Sequence, residues 1–137
     1  MPDRETLALH VKQVMQQINA ACQAAGRSPS EVTLLPVSKT FGAQAIRDMV
    51  ALGFKRFGEN RLQEIAQKAP ELADCEIEWV VIGQVQTNKA KEVAKYASEL
   101  QSLDRLALAE ALHRRLSAAR RTLKVLVQVK TSPEDTK

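Results

Sequence analysis

The sequence is poor in aromatic residues and in cysteine. Of 137 residues only 4% are aromatic, with one Trp, one Tyr and three Phe, and two are cysteines. Two cysteines do not make a disulfide framework or a metal site, so Cys22 and Cys75 are expected to be reduced thiols and no metal is expected. The scarcity of aromatics beside plentiful Ala, Leu and Val favours helices packed on a sheet over a β-sandwich.

Long apolar runs are also absent. No segment approaches the roughly 18 apolar residues that a membrane span requires, and residues 1–5 lack the basic start and apolar run of a signal peptide. A chain without membrane contact, located in the cytoplasm, is therefore expected. With 137 residues, the chain is also shorter than the about 250 residues of a complete (β/α)8 barrel.

The net charge of +4 is concentrated in one segment. Residues 105–124 carry a local net charge of +5, which leaves −1 for the remainder of the chain. Three leucines on one face and no aromatics are typical of a solvated helix that covers a sheet. A nucleic-acid-binding module using the basic helix 105–124 is the less favoured alternative. Its phosphate contacts would be Arg114, Arg115, Arg120 and Arg121.

Hydrophobic periodicity predicts one helix followed by alternating strands and helices. The first helix is predicted over residues 5–25, with Gly26 closing its C-terminus. The five predicted strands cover residues 32–38, 54–57, 77–82, 99–103 and 123–129. The four helices between them are predicted over residues 43–52, 61–68, 89–97 and 105–121. Asn60, Asn88 and Asp104 are the predicted N-caps of the last three helices.

Strict alternation of strand and helix predicts an α/β fold with parallel strands joined by right-handed crossovers. The strands are apolar on both sides, as expected when helices cover a sheet. Pro36 lies inside the first predicted strand and has no N–H to donate, which is tolerated best at a sheet edge.

Polar residues collect where each predicted strand ends. Parallel α/β folds bind ligands at the carboxyl ends of their strands, so these residues are expected to line one rim. They are Ser38, Lys39 and Thr40; Gly58, Glu59 and Asn60; Gly83 and Gln84; Asp104; and Lys130, Thr131 and Ser132.

Lys39 is the candidate for chemistry at this rim, because it directly follows an apolar strand. A partly desolvated stem would disfavour the ammonium and favour the neutral amine, which is the form that attacks an aldehyde. The alternative is an ordinary solvated lysine that ends a strand.

Three segments resemble consecutive signatures of the pyridoxal-phosphate homeostasis proteins, which are similar to the N-terminal barrel domain of alanine racemase. These are LPVSKT at 35–40, FGENRLQE at 57–64 and WVVIGQVQTNK at 79–89. Shorter matches at 102–105 and 127–129 follow in the same order, so the resemblance covers the whole chain.

The resemblance implies a parallel (β/α) barrel of the TIM type with an extra N-terminal helix. About five of eight βα units are present, as a single partial barrel domain over residues 1–137 with its helix at 5–25 and its units at 32–130. It further implies a protein that holds pyridoxal 5′-phosphate as a Schiff base on Lys39, with Asn60 and Ile82 near the cofactor. Such a protein would act in intracellular cofactor homeostasis without a defined turnover reaction, with cofactor-dependent apoenzymes as partners.

The sequence departs from the family pattern at several positions. Val80 and Lys130 stand where the family usually has His and Asn, and Lys137 matches a further family lysine. Lys130 is either a second amine near the rim or an exposed loop lysine. Strands six to eight, which carry the phosphate cup in the family, are absent, so weaker binding is expected. Open edges at the first and fifth strands favour self-association.

An enzyme is the alternative from a different class. A racemase that uses pyridoxal phosphate needs acid–base groups on both faces of the substrate. Lys39 would supply one group, but the opposing tyrosine of alanine racemase comes from a second domain that has no counterpart here. Tyr96 is the only tyrosine and is predicted to lie mid-helix, so a carrier is favoured over a catalyst.

Overall fold

The fold is built on a sheet of four parallel strands, described here for residues 3–133 in a computed structural model. The strands lie in chain order, and each pairs in parallel with the next. They are β1 (Arg56–Glu59), β2 (Glu78–Val81), β3 (Ala97–Leu103) and β4 (Lys124–Val127). The α/β class with a parallel sheet is therefore confirmed.

Within residues 3–133, five α-helices accompany the sheet, and the sequence predicts each of them to within a few residues of its ends. They are α1 (Arg4–Ala25), α2 (Ala43–Ala51), α3 (Leu62–Lys68), α4 (Ala90–Tyr96) and α5 (Leu106–Ala119). Short 3₁₀ turns cover Pro29–Glu31, Pro70–Cys75 and Thr87–Lys89. None of the helices within residues 3–133 is long and apolar enough to cross a membrane.

Helix α1 has well-defined capping at both ends. The Asp3 carboxylate accepts a hydrogen bond from the Thr6 N–H at 2.8 Å, which satisfies one of the free donors of the first turn. Gly26 has a φ of 70°, the left-handed conformation that commonly ends a helix, as predicted. Cys22 is the residue of α1 that is buried.

The hydrophobic core lies between the sheet and helices α2 to α5. Phe57, Trp79, Val81 and Leu100 point from the strands into this layer and are almost completely buried. The helices contribute Ile46, Ile65, Val93, Leu108 and Leu112. Cys22 and Cys75 are both free thiols.

The prediction of a strand over residues 32–38 is wrong. In the structure this segment forms a single isolated β-bridge, between Val37 and Gly58. The Gly58 N–H donates to the Pro36 carbonyl at 2.8 Å, and the Ser38 N–H donates to the Gly58 carbonyl at 3.0 Å. The next bond of a parallel ladder would come from the N–H of residue 36, which proline lacks. Pairing with β1 therefore does not extend towards the N-terminus from Val37, although the segment does lie at the predicted edge.

The three predicted N-caps are also wrong. Helices α3, α4 and α5 are preceded by Arg61, Lys89 and Arg105, and no side chain caps them. Because an N-cap must directly precede the first helical residue, Asn60 and Asp104 lie one residue too early. Asn88 lies inside the 3₁₀ turn that leads into α4.

The residue at position 83 must be glycine because the backbone after β2 lies very close to the backbone of Asn60, after β1. A Cβ atom at Gly83 would lie 2.5 Å from the Asn60 carbonyl oxygen, and backbone atoms cannot move aside as a flexible side chain would.

We predict that Gly83→Ala lowers the free energy of unfolding by about 2 kcal/mol, because the added methyl group forces this backbone contact apart. Gly42→Ala is the matched control, since a Cβ there meets nothing within 4 Å. Urea unfolding of both variants measures the difference. An equal loss in the two variants would contradict the close approach.

Candidate functional site

The carboxyl ends of the strands meet at one edge of the sheet, as the sequence predicted. The Ile82 N–H donates to the Glu59 carbonyl at 3.0 Å, which joins the ends of β2 and β1. The Ser102 hydroxyl donates to the Gly83 carbonyl at 2.6 Å, and the Gln128 N–H donates to the Leu103 carbonyl at 2.8 Å. These bonds bring the polar residues after each strand into one row.

In the described part of the chain, a larger and a smaller open cavity lie along this edge. The larger, of about 780 Å³, is walled by the start of α3, by the segment after β2 and by Arg105. Its polar lining residues include Asn60, Arg61, Gln84, Lys89, Glu92 and Arg105. The second, of about 410 Å³, contains Lys130 beside Gln84 and Asp104. The edge therefore offers a polar surface with several cations.

Lys39 lies at the same edge, in a tight turn next to β1. The Phe41 N–H donates to the Ser38 carbonyl at 3.1 Å and closes the turn. Thr40 has a φ of 67°, whereas Lys39 is not in the positive-φ region, which is the geometry of a type II turn. The third position of such a turn favours glycine, so a β-branched threonine there is sterically disfavoured.

The Lys39 side chain is exposed, which corrects the expected desolvation of its stem. The physical reason is that residues 36–38 are bonded to β1 on one side only, so little surrounds the lysine. Among the salt bridges of residues 3–133, none involves the Lys39 amine. The amine is therefore accessible to a ligand.

A buried ion pair lies directly beneath the Lys39 turn. The Lys68 ammonium donates to Glu59 Oε1 at 2.6 Å and to the Ser38 carbonyl at 2.9 Å. The Ser38 hydroxyl donates to Glu59 Oε1 at 2.9 Å. Glu59 is fully buried at 0% exposure, and Lys68 is buried at 8%.

Glu64 extends this arrangement to the other side of Lys39. Its Oε1 atom accepts the Thr40 N–H at 2.9 Å and lies 3.4 Å from the Lys68 ammonium. The Thr40 N–H, and to a smaller extent the Lys68 charge, hold the pKa of the Glu64 carboxyl below its ordinary value. Ser38, Glu59, Glu64 and Lys68 are called the Glu59–Lys68 network below.

The sequence did not identify this network as part of the site. The sequence predicts Glu59 to follow a strand over residues 54–57. The observed strand β1 instead covers Arg56–Glu59, so Glu59 is its last residue. The available signal was the i,i+4 spacing of Glu64 and Lys68 on one helix, together with a carboxylate just after a predicted strand.

Asn60 and Ile82 occupy different parts of the edge. Asn60 is half-buried and lines the larger cavity. Ile82 lies over Gly58, with its Cδ1 atom 3.5 Å from the position of a Gly58 Cβ and the Val37 side chain similarly close. Because Phe57 and Glu59 face the helices, alternation places Gly58 on the opposite face of the sheet. No hydrogen bond of residues 3–133 joins Lys39, Asn60 and Ile82 to one another through their side chains.

The remaining residues singled out in the sequence fall into distinct environments. Val80 is fully buried, whereas Lys130 is exposed in the smaller cavity. Lys137 lies outside the described residues. Tyr96 is the last residue of α4, not mid-helix, and directly precedes β3. It therefore lies at the amino end of the sheet, away from Lys39.

Two arginines of the basic segment 105–124 bond to backbone carbonyls of neighbouring elements, Arg105 to that of Val85 and Arg121 to those of α4. The Arg121 guanidinium donates to the carbonyls of Ala94 and Lys95 and thereby satisfies the C-terminal end of α4. Arg114, Arg115 and Arg120 are exposed. Of the four arginines considered as phosphate contacts, Arg121 thus already has partners within the chain.

Curated relatives match nearly all of this chain. It is 42% identical over 132 residues to the pyridoxal phosphate homeostasis protein of Pseudomonas aeruginosa, covering 96% of this chain and 57% of the relative. The protein of the same name from Escherichia coli K12 is 40% identical over 134 residues, with the same coverage. The chain thus spans somewhat more than half the length of these relatives. No family model matches the chain.

Solved structures show the same relationship. PipY of Synechococcus elongatus, solved with PLP bound, superposes with a TM-score of 0.75 at 36% identity, over 88% of this chain and 56% of PipY. An unknown protein from Bifidobacterium adolescentis superposes with a TM-score of 0.85 at 30% identity, over 100% of this chain and 61% of the other. In both superpositions, this chain covers less than two thirds of the solved protein.

We predict that Glu64→Gln destabilises the chain at neutral pH, by about 1 kcal/mol, and that the difference from the unmutated chain shrinks on acidification. The Glu64 pKa is lowered in the fold, so ionised Glu64 contributes stability that is present above the ordinary value of 4.5. This contribution is lost as the pH falls through the folded pKa, where protonated Glu64 comes to resemble Gln.

Urea midpoints of both proteins between about pH 7 and about pH 3 measure this effect. Glu110→Gln on α5 is the control, because Glu110 is an exposed carboxylate on another helix. A Glu64→Gln difference that stays constant across the range would contradict the assignment.

Proposed function

Because this chain is related over 96% of its length to proteins named pyridoxal phosphate homeostasis protein, we propose that it binds pyridoxal 5′-phosphate through Lys39 and acts in intracellular homeostasis of that cofactor. The observation that carries the proposal is the Lys39 turn at the carboxyl edge of a parallel sheet, where its amine is exposed. The bound PLP of PipY, a structural relative at 36% identity, supports the choice of cofactor.

The residues at this edge include the amine that pyridoxal phosphate needs in order to bind covalently. Pyridoxal phosphate supplies an aldehyde, whose carbon bonds to a lysine nitrogen as one water molecule leaves. Lys39 offers an accessible amine. The larger cavity at the same edge offers Asn60 and the cations Arg61 and Lys89 for a polar, anionic molecule, together with Arg105, which is already paired with Asp104. Asn60 and Ile82 are proposed to lie near the bound cofactor, as the motif positions imply.

A carrier is proposed rather than a catalyst. Racemisation needs a second acid–base group facing Lys39, and Tyr96 lies at the opposite end of the sheet. The names of the relatives describe homeostasis of the cofactor and no turnover reaction. The racemase-like alternative therefore lacks a partner group among residues 3–133.

The proposal extends to the architecture. We propose that residues 1–137 form a single domain corresponding to the first part of a (β/α) barrel of the TIM type. In that arrangement, the segment 36–38 takes the place of the first barrel strand, and β1 to β4 are the next four. We further propose that the protein is located in the cytoplasm and that apoenzymes dependent on pyridoxal phosphate receive the cofactor from it. Both statements remain predictions.

We also propose self-association through β4, since this strand lies at one end of the sheet and its apolar side chains are exposed. The exposed fractions are 41% for Val125, 54% for Leu126 and 70% for Val127. An exposed edge strand with apolar side chains presents free backbone groups that pair readily with another strand.

Binding through Lys39 is tested by titrating the chain with pyridoxal phosphate, reducing the adduct with borohydride and locating the modified lysine by mass spectrometry. We expect a single main adduct at Lys39, and at least tenfold weaker binding in Lys39→Ala, as loss of a covalent contact implies. Lys12→Ala is the control, because Lys12 is an exposed lysine on α1. Equal labelling of Lys39 and Lys12, or unchanged binding by Lys39→Ala, would overturn the assignment.

Pairing through β4 is tested by sedimentation velocity over a range of protein concentrations. Val127→Lys is expected to shift the chain towards monomer, because a charge on an edge strand opposes strand addition. Leu106→Lys is the matched control, since Leu106 is 73% exposed on α5. If the unmutated chain is monomeric throughout, or both variants behave alike, β4 does not mediate association.

A further inference from the structure

The turn that carries Lys39 is not held by regular sheet pairing. Pro36 ends the pairing of this segment with β1, and Thr40 adopts a positive φ that a threonine disfavours. A backbone conformation of this kind persists only where surrounding contacts hold it in place. Contacts other than the ladder must therefore fix the position of Lys39.

Two side chains of α3 supply those contacts, one on each side of Lys39. The Lys68 ammonium donates to the Ser38 carbonyl at 2.9 Å, immediately before Lys39. The Glu64 carboxylate accepts the Thr40 N–H at 2.9 Å, immediately after it. Both groups act on the backbone, so the Lys39 side chain remains free.

The positions of these two side chains are themselves fixed. The Lys68 ammonium is buried against fully buried Glu59 at 2.6 Å, and Glu59 belongs to β1. The Glu64 carboxylate lies 3.4 Å from the same ammonium, one helical turn before it. The turn is thus tied to both a strand and a helix of the core.

We infer that Glu64 and Lys68 are positioning residues that hold the Lys39 turn in the conformation needed to bind pyridoxal phosphate. This inference rests on the proposed function, because it assumes that Lys39 is the binding amine. It predicts that loss of either backbone contact weakens binding without removing the reactive group.

An ordinary stabilising role is the competing explanation. In that case, changes in Glu64 or Lys68 would lower global stability but leave the Thr40 amide protected and the binding of pyridoxal phosphate unchanged wherever the chain remains folded. Binding and local exchange must therefore be measured beside the unfolding midpoint.

Glu64→Ala is the first variant, because the Glu64 side chain is 24% exposed and its loss removes the acceptor without burying an unpaired charge. Gln67→Ala is the matched control, since Gln67 is an exposed residue on the same helix. We expect amide exchange at Thr40, followed by NMR, to be about tenfold faster in Glu64→Ala, as loss of a charge-assisted hydrogen bond implies. We expect the Kd for pyridoxal phosphate to rise several-fold, with both values unchanged in Gln67→Ala.

Lys68 requires a paired change. Lys68→Met alone would leave the Glu59 carboxylate buried without its cation and is expected to unfold the chain in part. The double variant Glu59→Gln with Lys68→Met removes both charges together. It is expected to weaken binding of pyridoxal phosphate at temperatures where circular dichroism shows a fully folded chain.

Rescue distinguishes positioning from general stabilisation. Thr40→Gly, introduced into Glu64→Ala, allows the positive φ without steric cost and is expected to recover part of the lost affinity. Normal affinity and normal Thr40 exchange in Glu64→Ala would overturn the inference while leaving the proposed function intact. If the unmutated chain forms no adduct at Lys39, the proposed function fails, and the positioning role for this cofactor fails with it.

Discussion

The buried ion pair between Glu59 and Lys68 connects the parts of this molecule on which the site depends. It joins the end of β1 to α3, and through the Ser38 carbonyl it joins both to the Lys39 turn. Removing two charges from water is costly, and this cost is offset only when each charge is fully hydrogen-bonded. Here the Ser38 hydroxyl and carbonyl complete the set, whereas loss of one partner would cost about 3–5 kcal/mol.

The ion pair matters because the sheet holds the Lys39 segment weakly. A proline at position 36 removes the donor that would extend pairing with β1, so one bridge remains where a full strand was predicted. The other strands are held in place by backbone pairing, whereas this segment is held by the side chains of Glu64 and Lys68 on α3. The groups that fix the turn are therefore different from the group proposed to react. The Glu59–Lys68 network holds the backbone at Ser38 and Thr40, whereas the Lys39 amine remains exposed.

The sequence predicted the order of elements because hydrophobic periodicity directly reflects burial. Helix α1 ends at Ala25 with Gly26 as its C-cap, as predicted, since the left-handed residue that follows a helix has a strong local preference for glycine. Hydrogen bonding is less visible in such patterns. The apolar run over residues 32–38 reads as a strand, although one missing N–H limits its pairing. Asn60 and Asp104 read as caps, although each helix begins one residue further on.

The site shows the same division between local and tertiary signals. Lys39 could be identified because it lies in a recognisable motif directly after an apolar segment. The partners that hold it could not, since Glu59 and Lys68 each resemble an ordinary surface residue in the sequence, and only the packing of α3 against β1 buries them together. A charged residue at the end of a short strand, followed on the next helix by an opposite charge, is consistent with either a solvated surface or a buried pair. Because the spacing is the same in both cases, the three-dimensional contact is what distinguishes them, and here it places the pair under the turn that carries the candidate lysine.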